Sequence, residues 1–350
     1  MQVIGVWDTV GAMGIPDIGH IIKVDNSFWR KQYEFHDTDL NPSESDCVSR
    51  DRSAAGSRHV QLTVDSLLPL CSGVQHAFQA LALDEQRASF APSIWHLAPT
   101  NQTTELVQAW FLGAHSNVGG GSSARDAEGK LGTYEQLSYI SYVWMLDRVR
   151  PYLAFDPDEL EAQKGIIGGV IQCAPDELAK KDTRDSATKG WIGAGLKFLK
   201  GRAPSMRDMV YGYAGGTIVD SHTFGYDLLA FPKPREPMDL TAQEKEKGVR
   251  TGEVVHPSVW FRQESQRRDG QVEEEDVYQP IAMKKWTRET DGQTGQSRWT
   301  KRDKEGRIVK SMPEFEIGRM PAQDSLERWL IDRSWCGTVH ERVKNEWKSS

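Results

Sequence analysis

WFLGAHSNVGGG, residues 110–121, decides how this chain is read. An apolar run ends in a histidine, and small and glycine residues follow at once. Buried strand, reactive side chain and permissive loop stand in that order, with residues 105–114 forming the strand. In parallel α/β sheets the ligand crevice lies beyond the carboxyl ends of the strands, so a histidine just past a buried strand points to where chemistry is done. His115 is therefore the first candidate for a functional residue.

Working outward, VIGVW at 3–7 reads as a second short buried strand that breaks into Asp8-Thr9-Val10-Gly11. Asp8 then stands at a strand end. It is either a carboxylate that orients a histidine or an aspartate that caps a turn, and position alone favours the turn. Gly14, Pro16 and Asp17 mark a loop, and residues 40–59 have the composition of an exposed insertion. His36, Asp37 and Asp39 lack further ligands at a supporting spacing, so they read as solvated rather than as a metal cluster. Over 74–90, Val74, Phe78 and Leu81 recur at helical spacing and predict a core-facing helix ending before Pro92, with His76 packed on it. Thr133-Tyr134-Glu135-Gln136 fits a capping box for a helix whose stripe is Leu137, Ile140 and Trp144 and which ends near Pro151. Strand, loop and helix in alternation predict an α/β layered fold.

Past Cys173 the character changes, so residues 1–175 and 176–350 are read as a catalytic-type domain and an irregular, partly β accessory extension. Residues 191–202, WIGAGLKFLKGR, mix aromatic, aliphatic and basic side chains and offer a peripheral membrane contact, although an ordinary packed loop is the simpler reading. VVHPSVWFR at 254–262 predicts a strand broken by Pro257. His256 on it is the runner-up base, with Pro257 favouring a structural role. QESQRRDGQVEEED at 263–276 predicts a solvated loop, 238–252 a charged helix or loop, and 326–343 a terminal helical piece interrupted near Gly337.

Hydrophobic residues make up 38% and charged residues 27%, which fits a globular chain with long polar segments. No apolar run approaches the roughly 18 to 20 residues needed to span a bilayer. The amino terminus lacks a secretory pattern, which predicts a cytoplasmic protein. Cys47, Cys71, Cys173 and Cys336 form no close pair and predict neither zinc nor redox chemistry. A net charge of −7 argues against a nucleic-acid surface. Gly119-Gly120-Gly121 lacks the Gly-x-Gly-x-x-Gly spacing and any following Gly-Lys-Ser/Thr, so no nucleotide cofactor is expected.

GVWDTVGAMGIP at 5–16, HAFQALALDEQRASFAPSIW at 76–95, WFLGAHSNVGGG at 110–121 and, more thinly, VHPSVWFR at 255–262 resemble one family. It is the α/β-hydrolase family that includes the phospholipase effectors of bacterial type VI secretion. The resemblance implies a parallel sheet with flanking helices and a Ser, Asp, His order of catalytic residues, with Asp8 as the acid and His115 as the base. Relatives commonly have aspartate where this chain has Asn117, which keeps hydrogen bonds but not charge and argues against a metal there.

The chain departs from the family in having no G-x-S-x-G. Ser57 and Ser186 match nucleophile motifs only at chance level. The chain is therefore expected to be the carboxyl-terminal part of an α/β-hydrolase, without serine elbow or oxyanion hole, and with an open sheet edge at residues 3–7 that a partner chain would cover. When complete, it would be an esterase or phospholipase-type hydrolase acting on a lipid or other ester. As it stands it is expected to be inactive, or to be a non-catalytic remnant that binds a protein partner.

Overall fold

Four strands lie side by side in one parallel sheet, in the spatial order of the chain: β1 (Val3–Trp7), β2 (His76–Ala82), β3 (Glu105–Phe111) and β4 (Glu253–Val255). The computed structural model describes residues 3–10, 74–120, 134–171, 213–216, 218, 232–240, 242–269, 273–317, 325–334 and 343. Among these, β1 has a strand partner on one side only. The insertion at 40–59, Thr133 and the segment 191–202 lie outside them, as do Cys47, Cys71, Cys173 and Cys336.

After β3 the chain makes a one-turn helix, α1 (His115–Val118), then α2 (Tyr134–Val149) and α3 (Pro157–Ile171). The stripe read from the sequence is the buried face of α2: Leu137, Ile140 and Trp144 are all at most 3% exposed. This helix crosses β1 and β2 closely, and a Cβ on Gly5 would come within 2.7 Å of the Met145 sulfur. Further along stand α4 (Ala242–Lys247), α5 (Ser258–Asp269), a three-stranded antiparallel sheet of β5 (Trp286–Thr290), β6 (Ser297–Arg302) and β7 (Ile308–Pro313), and α6 (Leu326–Arg333). The second sheet abuts the first where Phe315 N–H donates to the Val255 carbonyl. One apolar core runs from Phe78 and Trp110 through Trp144 to Trp299 and Leu330. No helix among the described residues is long and apolar enough to cross a membrane.

Three sequence expectations are corrected. Residues 76–82 are a strand, not part of a helix: β2 is sandwiched between β1 and β3 and buried on both faces. A strand with two buried faces loses the polar-apolar alternation that would reveal it, and its alanines mimic a helix former. The strand expected over 254–262 stops at Val255, before Pro257, and a helix starts at Ser258. That helix also takes in the first half of the stretch expected as a solvated loop, through Asp269, with Gln263, Ser265 and Gln266 buried.

Polar side chains inside the parallel sheet fix its register. Gln79 and Gln108 face each other on β2 and β3, both fully buried. Gln79 accepts from the Thr9 hydroxyl at 2.6 Å and donates to the Ser93 carbonyl, while Gln108 donates to the carbonyls of Trp95 and Thr251. Every buried amide group accounted for this way avoids a desolvation cost of about 1–3 kcal/mol.

Gly252 sets how β4 joins the sheet. Its φ is +59°, and a Cβ there would collide with the carbonyl oxygen of Leu106. Gly252→Ala is expected to cost about 3 kcal/mol, from left-handed backbone strain plus overpacking. Urea unfolding monitored by circular dichroism checks this, and an unchanged midpoint contradicts it.

Candidate active site

Each parallel strand delivers an ionisable group at its carboxyl end. Asp8 follows β1, Asp84 and Glu85 follow β2, His115 follows β3 and His256 follows β4. Asp8 takes a φ of 47°, a left-handed conformation that aspartate tolerates better than most side chains. Its backbone N–H donates to the Ala80 carbonyl at 2.7 Å, and its Oδ1 accepts the Ala82 N–H at 2.8 Å. The Asp8 carboxylate thus ties the end of β1 to the backbone of β2.

His115 Nδ1 lies 2.6 Å from Asp8 Oδ2. Asp8 is buried, whereas the His115 side chain is 32% exposed, so the pair has a closed end and an open one. An ionised carboxylate only accepts, so the neutral ring carries its proton on Nδ1 and leaves Nε2 with a lone pair. Among the described residues nothing hydrogen-bonds Nε2. The imidazole edge rests on Phe90, 5.0 Å between centroids, and the Arg87 guanidinium stacks 3.5 Å above the Phe90 ring.

Arg235 completes the Asp8 environment. Its two terminal nitrogens each take one carboxylate oxygen, Nη1 to Oδ1 at 2.5 Å and Nη2 to Oδ2 at 2.8 Å. Burial works to raise the Asp8 carboxyl, but the Arg235 charge and the hydrogen bonds from His115 and Arg235 outweigh it and hold Asp8 below its usual range.

The loop that carries His115 is held by side chains. Gly113 N–H donates to Asp84 Oδ2 at 2.7 Å, Ala114 N–H to Asn117 Oδ1 at 3.1 Å and His115 N–H to Glu85 Oε2 at 3.3 Å. Asp84 also accepts from the Tyr278 hydroxyl and the Ile281 N–H, and its carboxyl is raised, chiefly by burial. Gly113 has a φ of +104°, and a Cβ there would come within 2.6 Å of the Asn117 Cβ. Asn117 is fully buried and serves as this local brace. Among the described residues no three His, Cys, Asp or Glu side chains gather as metal ligands.

His256 lies elsewhere in chemical terms. It is fully buried, stacked on Phe111 at 4.4 Å between centroids, with Nδ1 against the Ser258 hydroxyl and Nε2 against Glu327 Oε1, both at 2.8 Å. Neither nitrogen is left to act as a base. The sequence singled out Asp8, His115 and Asn117, and the structure brings them together. It overlooked Arg235, Asp84, Glu85 and Tyr278. Asp84 and Glu85 were hidden because DEQR read as the polar end of a helix. Arg235 carried only a weak signal, a basic residue fixed among prolines in PKPREP.

The chain is thus an α/β protein with a carboxylate and an imidazole paired at the carboxyl edge of its parallel sheet. Residues 1–148 match the family model of the catalytic domain of Tle1-like phospholipase effectors of the type VI secretion system. No curated protein and no solved structure matches the chain.

Burial lowers His256 to about 3 and raises Glu327 well above its ordinary value. Together the folded pair keeps one titrating proton. The unfolded chain holds the same number between the ordinary values of 4.5 for glutamate and 6.5 for histidine. The pair therefore adds no pH slope in that window. Above it the unfolded state loses a proton that the folded state keeps, and stability falls as pH rises. In His256→Gln only raised Glu327 remains, so the decline is expected to begin near 4.5, at about 1.4 kcal/mol per pH unit. Urea unfolding of both chains at pH 5 and pH 6.5 checks this. Equal differences between the two pH values in both chains contradict it.

Proposed function

We propose that the carboxyl edge of the parallel sheet is the acid–base part of a lipase-type ester hydrolase site. The observation that carries this reading is the 2.6 Å contact between Asp8 and His115, with the imidazole partly exposed and Nε2 without a hydrogen-bond partner among the described residues. In such a site Nε2 removes a proton from the attacking hydroxyl or water as it adds to the ester carbonyl, then returns it to the leaving alcohol. Asp8 holds the productive tautomer and stabilises the imidazolium that forms between the two steps. The match of residues 1–148 to a phospholipase effector catalytic domain supports a lipid ester as substrate, with the carboxylic ester of a phospholipid as its narrower form.

The attacking group sets the level of activity. The 350 residues contain no G-x-S-x-G, and Ser57 and Ser186 lie outside the described residues. The amides of residues 113–115 are already taken by side chains, so they are not spare donors for an oxyanion. The pair in this chain is left to activate water against a reactive ester. A second reading is a non-catalytic module that binds a protein through β1. It is favoured by the outer edge of that strand, which has no partner among the described residues, and by Trp7 beside it at 37% exposure.

Hydrolysis of nitrophenyl acetate by the purified full chain is expected to be slow, and fatty-acid release from phosphatidylcholine vesicles negligible. His115→Ala and Asp8→Asn are each expected to lower the nitrophenyl acetate rate by at least about tenfold. Equal rates in all three chains remove the acid–base reading and leave the binding module. Rapid, His115-dependent release of fatty acid would place a nucleophile elsewhere in the chain.

A further inference from the structure

We propose that Arg235 is a positioning residue of this site: it is the fixed counter-ion of Asp8, and it leaves His115 free to stand as a neutral base. The inference rests on the acid–base reading above. It extends the site to a segment well outside residues 1–148, where the family match ends.

The geometry begins with the strap that carries the arginine. Pro232, Pro234 and Pro237 restrict the backbone around it, and proline both fixes its own φ and keeps the preceding residue extended. The strap is tied down on both sides of Arg235. Lys233 N–H donates to the Gln86 carbonyl at 2.8 Å, Met238 N–H donates to Glu253 at 2.9 Å, and Lys310 Nζ donates to the Pro237 carbonyl at 3.0 Å. From this mount the side chain, 3% exposed, reaches Asp8 with its planar fork. The same two nitrogens also donate to the carbonyls of Ala82 and Phe90, at 2.9 and 2.6 Å, so the guanidinium spans the ends of β1 and β2 and the turn that bears Phe90.

A buried carboxylate needs a cation. Among the described residues Asp8 has two within reach, and they differ in kind: the imidazole can lose its charge, whereas a guanidinium stays charged at any pH a protein survives. Were His115 the sole partner, ionised Asp8 would demand an imidazolium, and a ring that already holds both protons cannot accept another. With Arg235 in place the charge on Asp8 is balanced whichever state His115 adopts. Among the described residues, the other charged groups facing His115 are Glu85, which accepts its backbone N–H, and Arg87, which stacks on Phe90. These two form their own ion pair at 2.9 Å and largely cancel. Arg235 is thus the charge whose removal alters the balance at the ring.

The test follows the His115 ring resonances against pH by NMR in the full chain, assigned with His115→Gln, with folding checked by circular dichroism. In Arg235→Met the His115 titration midpoint is expected to move up by about one unit or more relative to wild type, because Asp8 then draws its counter-charge from the ring. In Arg235→Lys, which keeps the charge without the fork, it is expected to stay within about 0.3 unit of wild type. A folded Met variant whose midpoint is unchanged or lower overturns the proposal. If the Met variant does not fold, the Lys variant decides, and a shift of about half a unit or more in either direction overturns it. The readout needs no turnover. A failed esterase assay removes the hydrolase reading and leaves this result standing, whereas an unshifted midpoint in folded Arg235→Met removes the role of Arg235 alone.

Discussion

A carboxylate taken fully out of water is the constraint around which this molecule is arranged. Asp8 sits at the end of the first strand, in a backbone conformation few residues adopt, and its two oxygens meet a backbone amide, an imidazole and both arms of a guanidinium. The partners come from residues 82, 115 and 235. Breaking such a buried pair from one side typically costs about 3–5 kcal/mol, so strands, turn and strap depend on one another through this carboxylate.

The parallel sheet explains why these groups meet. Strands that run the same way end at the same edge, so a residue placed just beyond each strand lands near its counterparts, however far apart they are in the chain. The four strand ends then divide the work. The first and third form the half-open pair of Asp8 and His115. The second supplies Asp84 and Glu85, whose oxygens hold the backbone that carries the imidazole. The fourth carries a histidine that the core has absorbed, pressed on Phe111 and shut away from water. Position at a strand end is therefore not enough to leave a histidine available: both nitrogens of His256 are engaged, whereas Nε2 of His115 has no hydrogen-bond partner among the described residues.

Much of this was legible in the residues themselves. The apolar run before His115, the short strand before Asp8, and the stripe Leu137, Ile140, Trp144 all form as their patterns indicate, because each depends on local spacing or on a single break in polarity. The failures have a shared cause. β2 shows no alternation because neighbours cover both of its faces, and α5 is polar along a stretch where Gln263, Ser265 and Gln266 are nevertheless buried. Arg235 carried little local signal, since the carboxylate it pairs with lies 227 positions away.

The facing pair Gln79 and Gln108 carries a consequence for how strictly the sheet is assembled. Side chains on a strand alternate between faces, so sliding β2 against β3 by a single residue would turn one glutamine away from the other and strand their amide groups without acceptors or donors. Apolar strands alone tolerate such slippage far better, as one aliphatic contact can replace another. The two amides act as a key that only one alignment admits, and that alignment brings the aspartate after β1 opposite the imidazole after β3.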